Sequence, residues 1–231
     1  MVQQVLKDRA QEPEPAPRAA ALTTPIMRTY STARPKVLAI GASTGGPQAL
    51  ATLLAGLGHA LDQVPILIVL HMPADFSVVV SEHLARVSGR PCSTGHEGEV
   101  PKPGHIYLAP GHRHLRVARE GSSIVLVHDD GAAENFCRPA VDVLFRSVAE
   151  CFGKAALGIV LTGMGVDGVA GARTIVGSGG SVIAQDEASS VVWGMPGAIV
   201  REGLASGLYA LDDMAVTITR LLDRPQRGGR T

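Results

Sequence analysis

Aromatic residues make up only 3% of the 231 positions, which argues against a binding module lined with aromatic side chains. Lys+Arg and Asp+Glu number 21 each, so there is neither the basic footprint of a nucleic-acid binder nor a polybasic membrane anchor. The three cysteines, Cys92, Cys137 and Cys151, are odd in number and lack C-x-x-C spacing. That suggests neither a disulfide framework nor a zinc site, and it fits a reducing compartment. No run of about 18 apolar residues is present, and the N-terminal M-V-Q-Q-V-L-K-D-R-A has mixed charge without an apolar core. These absences predict a soluble, unsecreted, cytoplasmic protein. No internal repeat is visible, no Lys-Ser/Thr follows a Gly-rich turn, and no G-x-G-x-x-G occurs, so the usual phosphate and dinucleotide signatures are missing.

What is abundant is apolar and small. Hydrophobic residues are 45% of the chain and glycines number 27, a composition suited to one tightly turned α/β domain with a full core. The organising stretch is Val37 to Leu50, V-L-A-I-G-A-S-T-G-G-P-Q-A-L. Its apolar run predicts a strand, its small residues a turn, and Pro47 the first turn of a helix, together the first βα unit of a parallel sheet. Ser43 then lies at the carboxyl edge of a strand, where open α/β sheets bind ligands and helix N-termini favour an oxyanion. Gly41-Ala42-Ser43-Thr44-Gly45 also matches the G-x-S-x-G elbow. On this stretch alone a nucleophile and a phosphate-cradling turn both remain open.

Along the chain, residues 1 to 35 hold Pro13, Pro15, Pro17, Pro25 and Pro35 and are expected to form a disordered tail or linker. A folded domain is expected over 36 to 223, with 224 to 231 frayed. Val64 to Leu70 predicts a buried strand ending at His71, and Ala74 to Ser88 a helix. His105 to Pro110, His114 to Ala118 and Ser123 to Val127 are short extended segments separated by turn residues, and together they predict inserted β-hairpin structure. His112 and His114 have no carboxylate or cysteine at ligand spacing and are expected as surface turn histidines rather than a metal site. Asp129 and Asp130 read as an acid pair or, more simply, a polar turn. Helices are predicted over Ala140 to Phe152, Val169 to Val176, Gly197 to Glu202 and Asp212 to Leu222, and strands over Ala155 to Leu161 and Ser181 to Gln185. Asp167 falls at a helix start, where its simplest role is an N-cap.

Ser43, His71 and Asp167 share one kind of place, the loop after the carboxyl end of a parallel strand, so the three converge on one rim. An alcohol, an imidazole and a carboxylate that orients it are what acyl transfer through serine needs, with nucleophile and base within roughly 2.6–3.2 Å. The chain order Ser, His, Asp differs from the Ser, acid, His order of α/β-hydrolases, so the elbow is no evidence for that fold.

The motifs G-A-S-T-G-G at 41–46, H-M-P at 71–73, Y-L-A-P-G at 107–111, D-D-G at 129–131, R-P-A-V-D-V-L-F at 138–145, L-T-G-M-G-V-D-G at 161–168 and I-A-Q-D-E-A-S-S-V-V-W-G-M-P at 183–196 resemble the catalytic domain of the chemotaxis protein-glutamate methylesterases, the CheB family. The resemblance covers about residues 36 to 222. It implies a doubly wound, mostly parallel α/β sheet with a small antiparallel hairpin. The implied activity is hydrolysis of γ-glutamyl methyl esters on the cytoplasmic helices of methyl-accepting chemoreceptors, with deamidation of receptor glutamines as a second activity. Matched residue by residue, Ser43 is the nucleophile, His71 the base and Asp167 the acid, with Met164 lining the oxyanion hole and Thr44 a second candidate there. No metal or organic cofactor, no nucleic acid and no membrane embedding is implied, and a monomer is expected. A receiver domain of roughly a hundred residues, usual in that family, does not fit in the 35 residues before the domain. Two other classes stay in view: a phosphate or nucleotide binder using the Gly-rich turn, and a non-catalytic adaptor that docks to receptors on the same fold.

Overall fold

The computed structural model describes residues 26–225. Its central sheet has seven strands: β1 (Val37–Ala42), β2 (Ile66–Leu70), β3 (Cys92–Ser93), β4 (Ile106–Leu108), β7 (Ala156–Val160), β8 (Ser181–Gln185) and β9 (Gly207–Tyr209). They lie in the order β3-β4-β2-β1-β7-β8-β9 and every pairing is parallel. A separate antiparallel hairpin joins β5 (His114–Glu120) to β6 (Ser123–Asp129). The helices are α1 (Gly46–Leu57), α2 (Ser77–Ser88), α3 (Val141–Phe152), α4 (Val169–Gly177), α5 (Met195–Arg201) and α6 (Leu211–Leu222).

Strands covered on both faces can be apolar at every position, and β1 divides its side chains by alternation. Leu38 and Ile40 join one buried cluster with Leu50 and Leu54 of α1, Leu84 of α2 and Ile218 of α6. Val37 and Ala39 join the other, with Leu144 and Phe145 of α3, Ile175 of α4 and Ile199 of α5. The hairpin adds Leu115, Val117 and Leu126 to this second layer. The architecture is therefore the doubly wound sheet with a small hairpin that the motifs imply.

Three details differ from the sequence reading. Ile106–Leu108 is a parallel strand hydrogen-bonded to β2 rather than part of the hairpin. Its alternation decides this, because Ile106 and Leu108 enter one apolar layer and Tyr107 the other. Edge strands β3 and β9, of two and three residues, are too short to leave a periodic signal. Residues 26–35, grouped by the sequence with the Pro-rich tail, lie against the domain. The Arg28 N–H donates to the Ala205 carbonyl at 2.8 Å, and Tyr30 and Tyr209 share a hydroxyl hydrogen bond of 2.8 Å. Arg224, expected to fray, donates to the Ser31 carbonyl at 2.9 Å. The rest of the predicted tails, residues 1–25 and 226–231, lies outside the described residues.

Strand order reverses beside β1. The chain leaves it towards β2 and β4, then returns to place β7 on its other side, so the loops after β1 and β7 open onto a topological switch point. Close approach of α3 and α4 fixes the floor beneath these loops. A Cβ on Gly171 would stand 2.5 Å from Phe145 Cβ and 2.9 Å from the Asp142 carbonyl oxygen. Alanine ordinarily strengthens a helix by about 1 kcal/mol over glycine, but here that gain is outweighed by overpacking of about 1–3 kcal/mol. Gly171→Ala is accordingly expected to lower the thermal midpoint measured by circular dichroism. An unchanged or raised midpoint would refute the close-packing argument.

Candidate active site

Register brings Ser43 and His71 to the same rim. Ala42 pairs with Leu70 across β1 and β2, so each side chain follows one residue past a paired position. The Ser43 N–H donates to the Thr162 carbonyl at 3.0 Å and the His71 N–H to the Ala42 carbonyl at 3.0 Å, so three strand ends are tied together. The turn after Ser43 passes through Gly45 at φ 78°, a left-handed conformation that favours glycine. A Cβ there would also lie 2.7 Å from Val191. Gly163, after β7, is equally constrained, since its Cβ would meet Ser43 Cβ at 2.7 Å and Ser43 N at 3.0 Å. Gly163→Ala is therefore expected to displace the serine and cost about a hundredfold in any turnover that uses the Ser43 hydroxyl, the scale of an ångström-sized misplacement. Steady-state rates equal to those of the parent protein would rule out this packing role.

The histidine is held from behind. His71 Nε2–H donates to Asp167 Oδ2 at 2.8 Å, and the Asp167 side chain is only 3% exposed. The same carboxylate accepts the N–H of Val141 at 2.6 Å and of Asp142 at 3.0 Å, the first two amides of α3. Asp167 thus caps a neighbouring helix rather than α4, although Oδ1 also accepts the Gly168 N–H at 2.9 Å. An anion at free helix amides is favoured by the helix dipole. Burial alone would raise the carboxyl, but hydrogen bonds from His71 and from the Val141 and Asp142 amides outweigh it and hold Asp167 below the usual carboxylate range.

Two residues with no site role assigned from the sequence, Asn135 and Cys137, complete the surroundings. Asn135, with φ 50°, donates its side-chain amide to Asp142 Oδ2 at 2.8 Å and to Asp167 Oδ1 at 3.1 Å. It thereby separates two buried carboxylates that would otherwise repel. Asp142 is shifted upward, by burial first and by the Asp167 charge, against hydrogen bonds from Gly171 and Asn135. Cys137 brings its Sγ to 3.6 Å from His71 Nδ1. No composition or spacing signal distinguishes Asn135 or Cys137, because each is one residue of an irregular loop.

Ser43 itself is half-buried, and among the described residues its hydroxyl makes no hydrogen bond to His71. With Nε2 committed to Asp167, Nδ1 is the ring nitrogen left for the serine, and free enzymes often hold such contacts loosely until substrate closes them. The N–H groups of Thr44 and Met164 form no hydrogen bond among the described residues, which leaves both open to an incoming oxyanion.

Residues 38–218 match the family model described as CheB methylesterase. The chain belongs to the CheB methylesterase family. A protein-glutamate methylesterase/protein-glutamine glutaminase of Nitrobacter hamburgensis is 52% identical over 216 residues, covering 92% of this chain and 57% of that protein. A protein of the same name from a group 2 operon of Bradyrhizobium diazoefficiens is 52% identical over 209 residues, covering 90% of this chain and 53% of that protein. The chain spans about half the length of these curated relatives. The crystal structure of the Thermotoga maritima CheB methylesterase catalytic domain superposes with a TM-score of 0.77 at 33% identity, covering 81% of this chain and 98% of that one.

Other polar candidates have structural roles within this CheB fold. His114 is not a surface residue. It is 1% exposed, its Nδ1 accepts the Ala140 N–H at 3.1 Å, and Nε2–H therefore donates to the Ala132 carbonyl at 3.0 Å. It pins the approach to α3 to the hairpin, which a turn-like sequence context concealed. Asp129 accepts the Gly131 N–H at 2.8 Å and pairs with Arg116, while Asp130 pairs with Arg113, so both act as turn residues. No helix among the described residues is long and apolar enough to cross a membrane.

Proposed function

We propose that residues 36–223 form a serine esterase that hydrolyses γ-glutamyl methyl esters on the cytoplasmic helices of methyl-accepting chemoreceptors. Selected receptor glutamines are deamidated at the same site, and the chain works in the cytoplasm as a monomer. The observation that carries this reading is the imidazole clamped through Nε2 by a buried carboxylate, one loop away from a serine at the adjacent strand end.

In this mechanism Ser43 Oγ attacks the ester carbonyl and passes its proton to His71 Nδ1. Asp167 supports the imidazolium, and the N–H groups of Thr44 and Met164 receive the oxyanion. Collapse expels the methoxy group, which takes the proton from His71 and leaves as methanol. Water then repeats the sequence on the acyl-serine, releasing glutamate and regenerating the hydroxyl; for a glutamine the leaving group is ammonia. Exposed apolar side chains in the segments that carry the site, Phe136, Met164, Val166 and Val191, suit the apolar stripe of an amphipathic receptor helix.

Receptor methylated by its cognate methyltransferase is the decisive substrate. Methanol release by the purified protein, and its loss when a serine-directed phosphonate attaches to Ser43, are the expected results. Receptor binding without methanol release or phosphonate attachment would support the adaptor instead. Light scattering on a sizing column checks the monomer.

A further inference from the structure

Among the described residues, Cys137 is the one reactive group beside His71 that the esterase mechanism does not use. Its sulfur lies 3.6 Å from His71 Nδ1 and 3.3 Å from the Asn135 carbonyl oxygen, half-buried and within reach of solvent. Because Nε2–H is given to Asp167, Nδ1 presents a bare lone pair towards that sulfur. Zinc bonds of about 2.0 Å to nitrogen and 2.3 Å to sulfur at a tetrahedral angle span about 3.5 Å between donors. The observed spacing already matches.

Ligand atoms of His71, Cys137 and Asp167 all lie within 4.8 Å of one another, but Asp167 is not free to coordinate. Its Oδ2 accepts His71 and the Val141 amide, and its Oδ1 accepts Asn135, Asp142 and Gly168. It stands instead as the carboxylate behind a metal-bound imidazole, the partner that orients the ring and raises its basicity.

From this arrangement we propose that His71 Nδ1 and Cys137 Sγ form a reversible binding site for a thiophilic divalent cation of the zinc class, which closes the esterase by occupying its base. On binding, the thiol proton passes to solvent, sulfur and Nδ1 each donate a lone pair, and water completes the tetrahedron. No oxidation state changes. Two protein ligands, against four in structural zinc sites, make the cation exchangeable, and a thiolate with an imidazole selects zinc over magnesium or calcium. The inhibitory half rests on the esterase reading; the binding half does not.

Cobalt(II) substitutes for zinc with a visible signature and serves as the probe. Titration of the purified protein is expected to produce a sulfur-to-cobalt charge-transfer band with tetrahedral visible absorption. Zinc should displace it, and both Cys137→Ser and His71→Ala should abolish it. A missing band, or one that persists in Cys137→Ser, would overturn the site whatever the protein's activity. In the methanol assay zinc but not magnesium should inhibit, with recovery on chelation. Relative to its own uninhibited rate, Cys137→Ser should need on the order of a hundredfold more zinc, at least the loss seen when an outer partner is removed. A cobalt band without zinc inhibition of an active enzyme would sink the regulatory half alone.

Discussion

Ser43→Ala is expected to lower methanol release by about a thousandfold to a millionfold, with little change in thermal stability. The two halves of that expectation have separate causes. Nucleophile, base and orienting acid act as a unit, so loss of the alcohol removes the covalent route entirely and leaves only what oxyanion donors and binding supply. Stability should hold because the Ser43 hydroxyl makes no hydrogen bond among the described residues. What secures the turn is backbone: the Ser43 N–H to Thr162 at 3.0 Å and the Gly46 N–H to the Ser43 carbonyl at 2.7 Å, both retained by alanine. A half-buried side chain without partners is worth within about 0.5 kcal/mol. Methanol release and a thermal melt on one preparation test both. Turnover within tenfold of the parent protein would exclude Ser43 as the nucleophile, whereas a large fall in melting temperature would show that lost activity came from lost fold.

Asp167→Asn should fail on both counts. Activity should fall by about ten-thousandfold, because an amide beside Nε2 no longer holds the histidine in the tautomer with a free Nδ1 lone pair. Stability should fall too. Both oxygens of the buried carboxylate are occupied by donors, His71 and Val141 on one side and Asn135, Asp142 and Gly168 on the other. An asparagine turned either way points an NH2 at N–H groups, and unsatisfied buried donors cost about 1–3 kcal/mol each. The pH dependence follows from the direction of the shift: burial opposes the charge, but the His71 and helix-amide hydrogen bonds prevail and the folded carboxyl lies below its usual range. A carboxyl depressed by folding adds stability that is complete above its unfolded value of about 3.9. That stability is lost as pH falls through the lower folded value. The gap between parent and Asp167→Asn should therefore shrink as pH falls below about 4. Denaturant midpoints measured from about pH 4 downward would contradict the argument if the gap widened.

The apolar runs at Val37, Ile66, Ala156 and Ser181 were legible as buried parallel strands because both sheet faces are covered, so nothing polar interrupts them. Ser43, His71 and Asp167 were legible as candidates because each follows such a run. Less legible was anything that depended on which distant segment fills a given space. His114 sits in a sequence that reads as a turn, yet it is buried because Ala132 and Ala140 fold over it. The segment around Tyr107 is flanked by breaks like those of the hairpin beside it, and only partners on both faces make it a strand of the main sheet.

By itself the sequence determined the layered α/β class, the strand ends that carry polar side chains and the family, since all three depend on local runs and on motifs contiguous along the chain. Tertiary structure alone decided that Asp167 caps α3 instead of its own helix, that His71 offers Nδ1 rather than Nε2 to the rim, and that Cys137 and Asn135 stand beside them. The reason is physical. Hydrogen bonding and desolvation at a buried site are set by groups 7 to 96 residues apart, and that proximity exists only once the sheet has brought its strand ends together.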